Sequence, residues 1–373
     1  MLLRSKERNG TIKIINREPN GSLFNYIGGN MKVRKIGIVS LSSGIMGEDF
    51  LKHEVDIGVN RLKKYGVEIK FMPNSLKGID FIKNNPKARA QDLLDAMLDD
   101  SIDMILCAIG GEDTYRLLPY LFDNNELQKA ARQKIFLGFS DTTMNHFMLH
   151  KLGIKTFYGQ AFLPDVCELS KDMLPYTKQY FEELLDTGRI KEIRPSKVWY
   201  SERKDFSEKS IGIAMPCHKN TGFELLKGKA VFTGQILGGC IDSIYTIFDN
   251  SRFEDTVSVC RKYSIFPSLT EWKDKILLLE TSEEKPTPEL YKKMIHVLKN
   301  YGIFDVVSAV LIGKPQDEVY FDDYKKILLD ELANKNISIV CNINVGHATP
   351  RCIIPFGVDC EVNTIKQVIT FNN

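Results

Sequence analysis

Short, continuously apolar segments alternate with amphipathic helical segments from Lys35 onward, and this alternation constrains the fold more than any other feature. The first four apolar segments are typical of strands covered on both faces of a sheet. They span residues 35–40, 67–72, 103–108 and 135–139, with helical patterns near 48–65, 87–100 and 113–122 between them. Helices between such strands indicate βαβ units, so the sequence predicts an α/β fold with a parallel sheet.

A second block with the same rhythm begins near residue 229. Its predicted strands lie near 229–237, 275–280, 306–312 and 337–343, and its helices near 239–248, 287–300 and 323–334. The region before it contains a predicted helix near 174–186 and a charged run, and we interpret it as a connection. The chain is thus divided into an extension outside the fold (1–30), an N-terminal α/β domain (31–165), a connecting segment (166–228) and a C-terminal α/β domain (229–373). No function is assigned to the extension.

The composition of the chain limits which binding partners and which cellular compartment we expect for the protein. A chain of 373 residues suits two or three domains, and 50 basic against 48 acidic residues leave a net charge of +2. A large basic field is therefore not indicated, and we expect neither nucleic acid nor a membrane as a partner. No apolar run is long enough to span a bilayer, and the first thirty residues lack the apolar core of a secretory signal. The eight cysteines form no C-x-x-C pair. We expect buried free thiols and a cytoplasmic location.

The most informative motif is the junction around Ser140. An apolar strand ends at Gly138-Phe139-Ser140, and a helical pattern follows directly. A serine at such a turn would lie at the carboxyl edge of the sheet, where backbone N–H groups can stabilise a developing negative charge. Ser140 is therefore a candidate nucleophile. A plain helix N-cap is the alternative, and no glycine stands two residues later to complete a G-x-S-x-G elbow.

Three further motifs also follow predicted strands. Gly110-Gly111 lets the backbone approach a ligand and could supply an oxyanion donor, although a simple βα turn is the alternative. Glu280 could orient a histidine, or it could belong to a solvated acidic loop. His347 lies in a loop bounded by glycine and proline. Ser140, Glu280 and His347 each follow the carboxyl end of a predicted strand, where ligands bind in open α/β folds, so the three could converge.

A metal site is not predicted. His146 and His150 have the i, i+4 spacing that suits a metal, but the glutamate of H-E-x-x-H is absent. A packed or solvated helix face is the favoured interpretation of this pair. Phosphate-loop signatures are absent as well, and no cofactor is expected.

In this order, the motifs resemble the LD-carboxypeptidase family of serine peptidases, which includes muramoyltetrapeptide carboxypeptidases and microcin C self-immunity proteins. The resemblance runs from about Lys35 to the C-terminus. It takes in Ser42-Ser43, Gly110-Gly111, the Gly-Phe-Ser-Asp segment around Ser140, Gly238-Gly239, Glu280 and Gly346-His347.

The resemblance implies a role for each matching residue. Ser140 would be the nucleophile, His347 the general base and acid, and Glu280 the group that orients His347. The backbone N–H groups of Gly111 and Asp141 would form the oxyanion hole. It also implies a flavodoxin-like or Rossmann-like N-terminal domain and a C-terminal α/β domain, with the active site between them, commonly in a homodimer.

One local feature separates the branches of the family. The segment from Pro195 to Ser201 resembles the connecting segment of the microcin-immunity branch, which carries a tryptophan thought to stack on a nucleotide base. Trp199 would take that role, and packing beneath an interdomain linker is the alternative. Two positions depart from the family pattern: Cys240 replaces asparagine after Gly238-Gly239, and Ala348 follows His347.

The sequence therefore predicts a serine hydrolase that cleaves an amide bond near a free carboxylate. The predicted substrate is a small molecule, a peptidyl or aminoacyl nucleotide of the microcin type. A muramoyltetrapeptide LD-carboxypeptidase of cell-wall recycling is the alternative in the same class. A non-catalytic small-molecule binding protein is the alternative from another class, and the filled positions 140, 280 and 347 argue against it.

Overall fold

The computed structural model describes residues 32–372, and the predicted extension of residues 1–30 lies outside them. Two large sheets with intervening helices confirm the α/β prediction. A small third sheet of two strands, Val198–Tyr200 and Cys217–Lys219, belongs to the segment between the two blocks.

The first sheet has six strands. Its first five strands along the chain are parallel and lie in the order 2-1-3-4-5, which is the order of flavodoxin-like folds. Across the sheet, the strands are Glu68–Phe71, Lys35–Val39, Met104–Cys107, Ile135–Gly138, Thr156–Tyr158 and Ile354–Phe356. The associated helices are Lys52–Lys64, Gly78–Asn84, Pro86–Leu98, Leu118–Phe122, Glu126–Ala130 and Thr143–His150. Every residue of Met104–Cys107 and Ile135–Gly138 is buried, which explains their unbroken apolar sequence.

The second sheet has eight strands, of which four adjacent ones are parallel. Across the sheet, the strands are Glu192–Ile193, Val368–Phe371, Asp359–Asn363, Val231–Cys240, Ile276–Glu280, Ala309–Gly313, Ser338–Ile343 and Glu224–Lys227. The helices of this half are Ile241–Thr246, Thr256–Lys262, Leu269–Trp272, Pro288–Tyr301 and Phe321–Glu331. Pro288–Tyr301 begins where its sequence predicts, because the Thr287 hydroxyl accepts a hydrogen bond from the Leu290 N–H and proline occupies the first turn.

Two of the ranges into which the sequence divides the chain contribute strands to a sheet that is formed mainly by another range. Ile354–Phe356, from the C-terminal range 229–373, pairs antiparallel with Thr156–Tyr158 in the first sheet. The range 166–228 contains the helix Pro175–Thr187 and also supplies Glu192–Ile193 and Glu224–Lys227 to opposite edges of the second sheet. The two sheets are therefore tied together by exchanged strands as well as by loops.

The eight cysteines are all free thiols, and seven of them are buried. Cys217 is the exposed one. Among the helices of residues 32–372, none has the length and apolar character needed to cross a membrane.

Candidate active site

Loops from the carboxyl ends of both sheets meet around a cavity of about 740 Å³. Gly110, Gly111 and Ser140 line it from the first sheet, and Glu283 and His347 line it from the second. In each sheet the parallel strands bring these loops to the carboxyl edge, which is where ligands bind in open α/β sheets. The cavity is therefore lined by Ser140 and His347, two of the three residues that the sequence predicted to converge.

Ser140 stands at a strained turn directly after Ile135–Gly138. Its backbone is in the left-handed region, with φ of 64°, which is costly for a residue with a side chain. The Ser140 N–H donates to the Tyr158 hydroxyl (3.1 Å), and its carbonyl accepts from the Thr143 hydroxyl (2.7 Å). The following helix has Thr142 as its N-cap, so the alternative role of Ser140 as a capping residue does not apply.

Asp141 holds the loops around Ser140 in place with its carboxylate. One of its oxygens accepts from the Ser42 hydroxyl (2.7 Å) and from the Thr114 N–H (2.9 Å). Burial raises the pKa of Asp141, against the effect of these donors. A second brace is the fully buried Arg89, which pairs with Asp113 at 2.6 Å. The strained turn is thus fixed by the neighbouring loops of the same sheet.

Gly110 packs directly against Ser140, and Gly111 packs directly against Ser42. A Cβ atom on Gly110 would come within 2.6 Å of Ser140 Oγ, and one on Gly111 within 2.3 Å of Ser42 Oγ. Gly111 also has φ of 152°, which side chains rarely allow. The close approach requires glycine at both positions. Whether the N–H groups of Gly111 and Asp141 act as oxyanion donors stays a prediction.

Glu280 and His347 form a buried hydrogen-bonded pair. Glu280 is the last residue of Ile276–Glu280, and its Oε2 lies 2.8 Å from His347 Nδ1. The same oxygen accepts from the backbone N–H of His347 (3.2 Å), while Oε1 accepts from the Tyr158 hydroxyl (2.6 Å). The His347 ring contacts Phe139, with ring centroids 5.1 Å apart. Since Phe139 precedes Ser140, this contact brings His347 next to the serine turn.

The other ring nitrogen of His347 is bound to a second carboxylate. His347 Nε2 lies 2.9 Å from Glu283 Oε2, and no hydrogen bond joins His347 to Ser140 within the described chain. Burial disfavours a charged imidazole, but Glu280 and then Glu283 outweigh it and raise the pKa of His347 to about 10. The hydrogen bond from His347, opposed by burial, lowers the pKa of Glu283 to about 2. This arrangement holds His347 as an imidazolium between two carboxylates.

One group of side chains in residues 32–372 has ligand atoms close enough together to hold a metal ion. It consists of Cys240, Glu280 and His347, whose ligand atoms lie within 4.8 Å of one another. The donor set does not suit one. Both oxygens of Glu280 already accept hydrogen bonds, and His347 Nδ1 is one of the donors. Burial raises the pKa of the Cys240 thiol well above its usual value, which disfavours the thiolate that a metal needs.

Trp199 and the His146–His150 pair lie apart from this centre. Within the described chain, Trp199 is not among the residues that line the cavity; its ring stacks on His218 at 4.2 Å, with Lys314 Nζ 5.3 Å from the ring centroid. His146 is buried, and its two nitrogens are hydrogen-bonded to Thr156 and to the Gly138 carbonyl. That agrees with the packed-face interpretation of the pair.

Three residues of the site were not singled out from the sequence. Tyr158 joins Glu280 to the backbone of Ser140, and Glu283 binds His347 Nε2. Arg351 pairs with Asp165 (2.9 Å) and donates to the His347 carbonyl (3.1 Å), which fixes the loop that carries His347. Only Arg351 offered a signal, because a charged residue so close to His347 in a Gly/Pro-bounded loop is a candidate for anchoring it.

A strained serine turn on a flavodoxin-like sheet and the histidine of a Glu–His pair on a second α/β sheet line one cavity, and serine hydrolases use these three residue types. Comparison with protein-family models identifies the family. The model of the LD-carboxypeptidase N-terminal domain matches residues 36–159, and the model of the LD-carboxypeptidase C-terminal domain matches residues 233–362. The chain belongs to the LD-carboxypeptidase family, a family of serine carboxypeptidases.

Three similar proteins illustrate the range of the family. An MccF-like protein from Streptococcus pneumoniae, solved in complex with AMP, is 64% identical, with a TM-score of 0.90 over 91% of this chain and 99% of its own. The microcin C7 self-immunity protein MccF of Escherichia coli is 26% identical over 85% of each chain. A probable murein peptide carboxypeptidase of Bacillus subtilis is 23% identical over 84% of this chain and 85% of its own.

Proposed function

We propose that this protein is a serine hydrolase of the MccF type, which cleaves an amide bond near a free carboxylate in an aminoacyl or peptidyl nucleotide. One observation carries the proposal: Ser140, on a strained turn, lines the same cavity as the His347 ring that is paired with Glu280. The AMP complex of the 64% identical Streptococcus pneumoniae protein supports a nucleotide in the substrate.

In the proposed mechanism, His347 Nε2 accepts the proton of Ser140 as the hydroxyl oxygen attacks the scissile carbonyl carbon. Glu280 keeps the imidazole oriented through Nδ1 and stabilises its positive charge. The N–H groups of Gly111 and Asp141 donate to the oxyanion. His347 then protonates the leaving nitrogen, and a water molecule, activated by the same imidazole, hydrolyses the acyl-enzyme. No cofactor takes part in these steps.

The first test removes the nucleophile. Ser140→Ala should lower kcat by about 10⁴–10⁶-fold, because the hydroxyl forms the covalent intermediate. The assay compares an aminoacyl sulfamoyl adenosine with a muramyl tetrapeptide, and circular dichroism checks that the variant folds. Ser43→Ala is the matched control, since Ser43 lines the same cavity from a neighbouring loop. Near-normal turnover by Ser140→Ala would exclude the mechanism.

The second test concerns the nucleotide. If Trp199 stacks on the base, the base must take the place of His218 or use another part of the ring. Trp199→Ala should then raise KM for the aminoacyl nucleotide about tenfold and leave muropeptide cleavage little changed. An equal effect on both substrates, or none, would remove Trp199 from the proposed site.

A muramoyltetrapeptide carboxypeptidase is the second candidate, and the similarity to the Bacillus subtilis murein peptide carboxypeptidase favours it. The two-substrate assay decides between the candidates by the ratio of kcat/KM values. A homodimer in the cytoplasm is the accompanying expectation, and light scattering after size exclusion tests the oligomeric state.

A further inference from the structure

Glu283 lies on a loop that is anchored on both sides of it. Before it, the Ser282 N–H donates to Asp242 (2.9 Å); after it, Lys285 pairs with Asp317 (2.7 Å). The side chain of Glu283 itself is 60% exposed and lines the cavity. Rotation of this side chain alone can break its contact with His347, and exposed side chains change rotamer rapidly. The contact is therefore reversible without movement of the loop.

The contact blocks the atom on which the proposed mechanism depends. His347 Nε2 must be unprotonated to take the proton of Ser140, but in this structure it donates to Glu283. A productive substrate must therefore draw Glu283 away and allow His347 to lose its proton. A cationic group on the substrate can do both, because it replaces the imidazolium as the partner of the carboxylate.

The charges around the cavity favour such a group. The cavity is lined by the acidic residues Glu54, Glu168, Glu202 and Glu283 and by the basic residues Arg203 and Arg351. Each arginine is already paired, Arg203 with Glu168 (2.6 Å) and Arg351 with Asp165 (2.9 Å). The pair with Arg203 also neutralises Glu168, and burial raises the pKa of Glu54 to about 7, so the excess negative charge among these residues rests mainly on Glu202 and Glu283. A positive group entering beside Ser140 meets attraction rather than repulsion.

We propose that Glu283 determines specificity by binding the α-ammonium group of an aminoacyl substrate, and that this contact frees His347 Nε2 for Ser140. The inference rests on the proposed function and deepens it. An α-ammonium nitrogen is two bonds from the scissile carbonyl carbon. When that carbon reaches Ser140, the ammonium group lies near the carboxylate that occupied Nε2. A residue whose nitrogen is acylated carries no such charge, so the protein favours free aminoacyl over peptidyl substrates.

The proton balance gives the proposal a direct readout. The substrate ammonium keeps its protons, and the proton on His347 Nε2 passes to solvent, so binding releases one proton per site. The ionisable groups facing His347 are Glu280 on Nδ1, Glu283 on Nε2, the neighbouring Asp242 and Cys240, and Arg351 on its carbonyl. Among these, Glu283 is the exposed acid that a ligand can reach.

The experiment uses the full chain with Ser140→Ala, so that ligands bind without turnover. Calorimetry at pH 6.5, in two buffers of different ionisation enthalpy, compares an aminoacyl sulfamoyl adenosine with its N-acetyl derivative. At this pH the α-amino group is protonated before binding. The free amine should bind about 10- to 100-fold more tightly and release about one proton, whereas the acetylated ligand should release none.

Adding Glu283→Gln should remove both the preference for the free amine and the proton release. Glu284→Gln is the matched control, since this neighbouring acid pairs with Arg252 (2.6 Å) instead of His347. With Ser140 intact, Glu283→Gln should raise KM for the free amine at nearly unchanged kcat, and should raise kcat for the acetylated substrate.

The outcomes separate the two proposals. Equal affinities without proton release, or no binding of the free-amine ligand, would overturn the role of Glu283. Hydrolysis by the intact protein that is lost in Ser140→Ala would still support the proposed function in that case. Hydrolysis that persists in Ser140→Ala would instead overturn the proposed function.

Discussion

Two buried histidines of this protein differ in charge, one neutral and one positive, and their hydrogen-bond partners explain the difference. His146 lies on the helix Thr143–His150, with Nδ1 bonded to the Thr156 hydroxyl (2.8 Å) and Nε2 to the Gly138 carbonyl (3.1 Å). Burial lowers the pKa of His146 to about 3. His347 is buried to a similar extent, yet its two carboxylate partners, working against burial, raise its pKa to about 10.

Burial alone therefore neutralises an imidazole, and only charged neighbours reverse the effect. The two histidines also affect stability in opposite pH ranges. The stabilisation from His347 is fully present below pH 6.5 and is lost as the pH rises through about 10, since its folded pKa lies above the ordinary value. His146 has a depressed pKa, so it costs stability as the pH falls from 6.5 towards 3.

Between these two histidines, the larger effect is expected from removing the charge beside His347. Glu280→Gln keeps the side-chain volume and the partner of Tyr158, but it offers an amide in place of the carboxylate that holds Nδ1. We expect kcat/KM to fall by about 10³–10⁴-fold, because the imidazole loses its orientation and the stabilisation of its positive charge. The pKa of His347 should fall as well, towards that of a buried imidazole with neutral partners.

Steady-state kinetics and NMR titration of the His347 ring protons measure these two effects. Glu284→Gln serves as the control, since Glu284 lies on the same acidic loop but pairs with Arg252. A change of less than tenfold in kcat/KM would mean that Glu280 does not orient the base. An unchanged pKa would mean that Glu283 alone sustains the charge of His347.

The sequence located the polar residues at the ends of buried strands, for a simple physical reason. A parallel strand that is buried on both faces consists mainly of apolar residues, so a polar residue at its carboxyl end marks the edge of the sheet. Ser140 and Glu280 follow this rule, and both occur where strand patterns stop. The same reasoning places His347 beyond Ser338–Ile343.

The residues that the sequence did not reveal depend on contacts between distant segments. Tyr158 lies on a strand of only three residues, too short for a period to be recognised, and its role comes from pairing next to Ile135–Gly138. Glu283 belongs to an acidic loop, and sequence pattern cannot distinguish a solvated acid from one turned onto a buried histidine. Ile354–Phe356 joins the first sheet although its neighbours in sequence form the second, which only the tertiary pairing determines.

A smaller effect, on stability alone, tests the other side of the comparison. His146→Gln removes the group that the folded protein keeps neutral, while an amide can still donate to Gly138. We expect a loss of about 1–3 kcal/mol in the free energy of unfolding near pH 7, from imperfect hydrogen bonding. Between pH 6.5 and 4, however, the variant should lose stability less steeply, by up to about 1.4 kcal/mol per pH unit, because its unfolded state binds one proton fewer. Urea unfolding at several pH values measures this slope. If the slopes of the two proteins coincide, His146 is not held neutral by the fold, and the contrast with His347 cannot be attributed to their different partners.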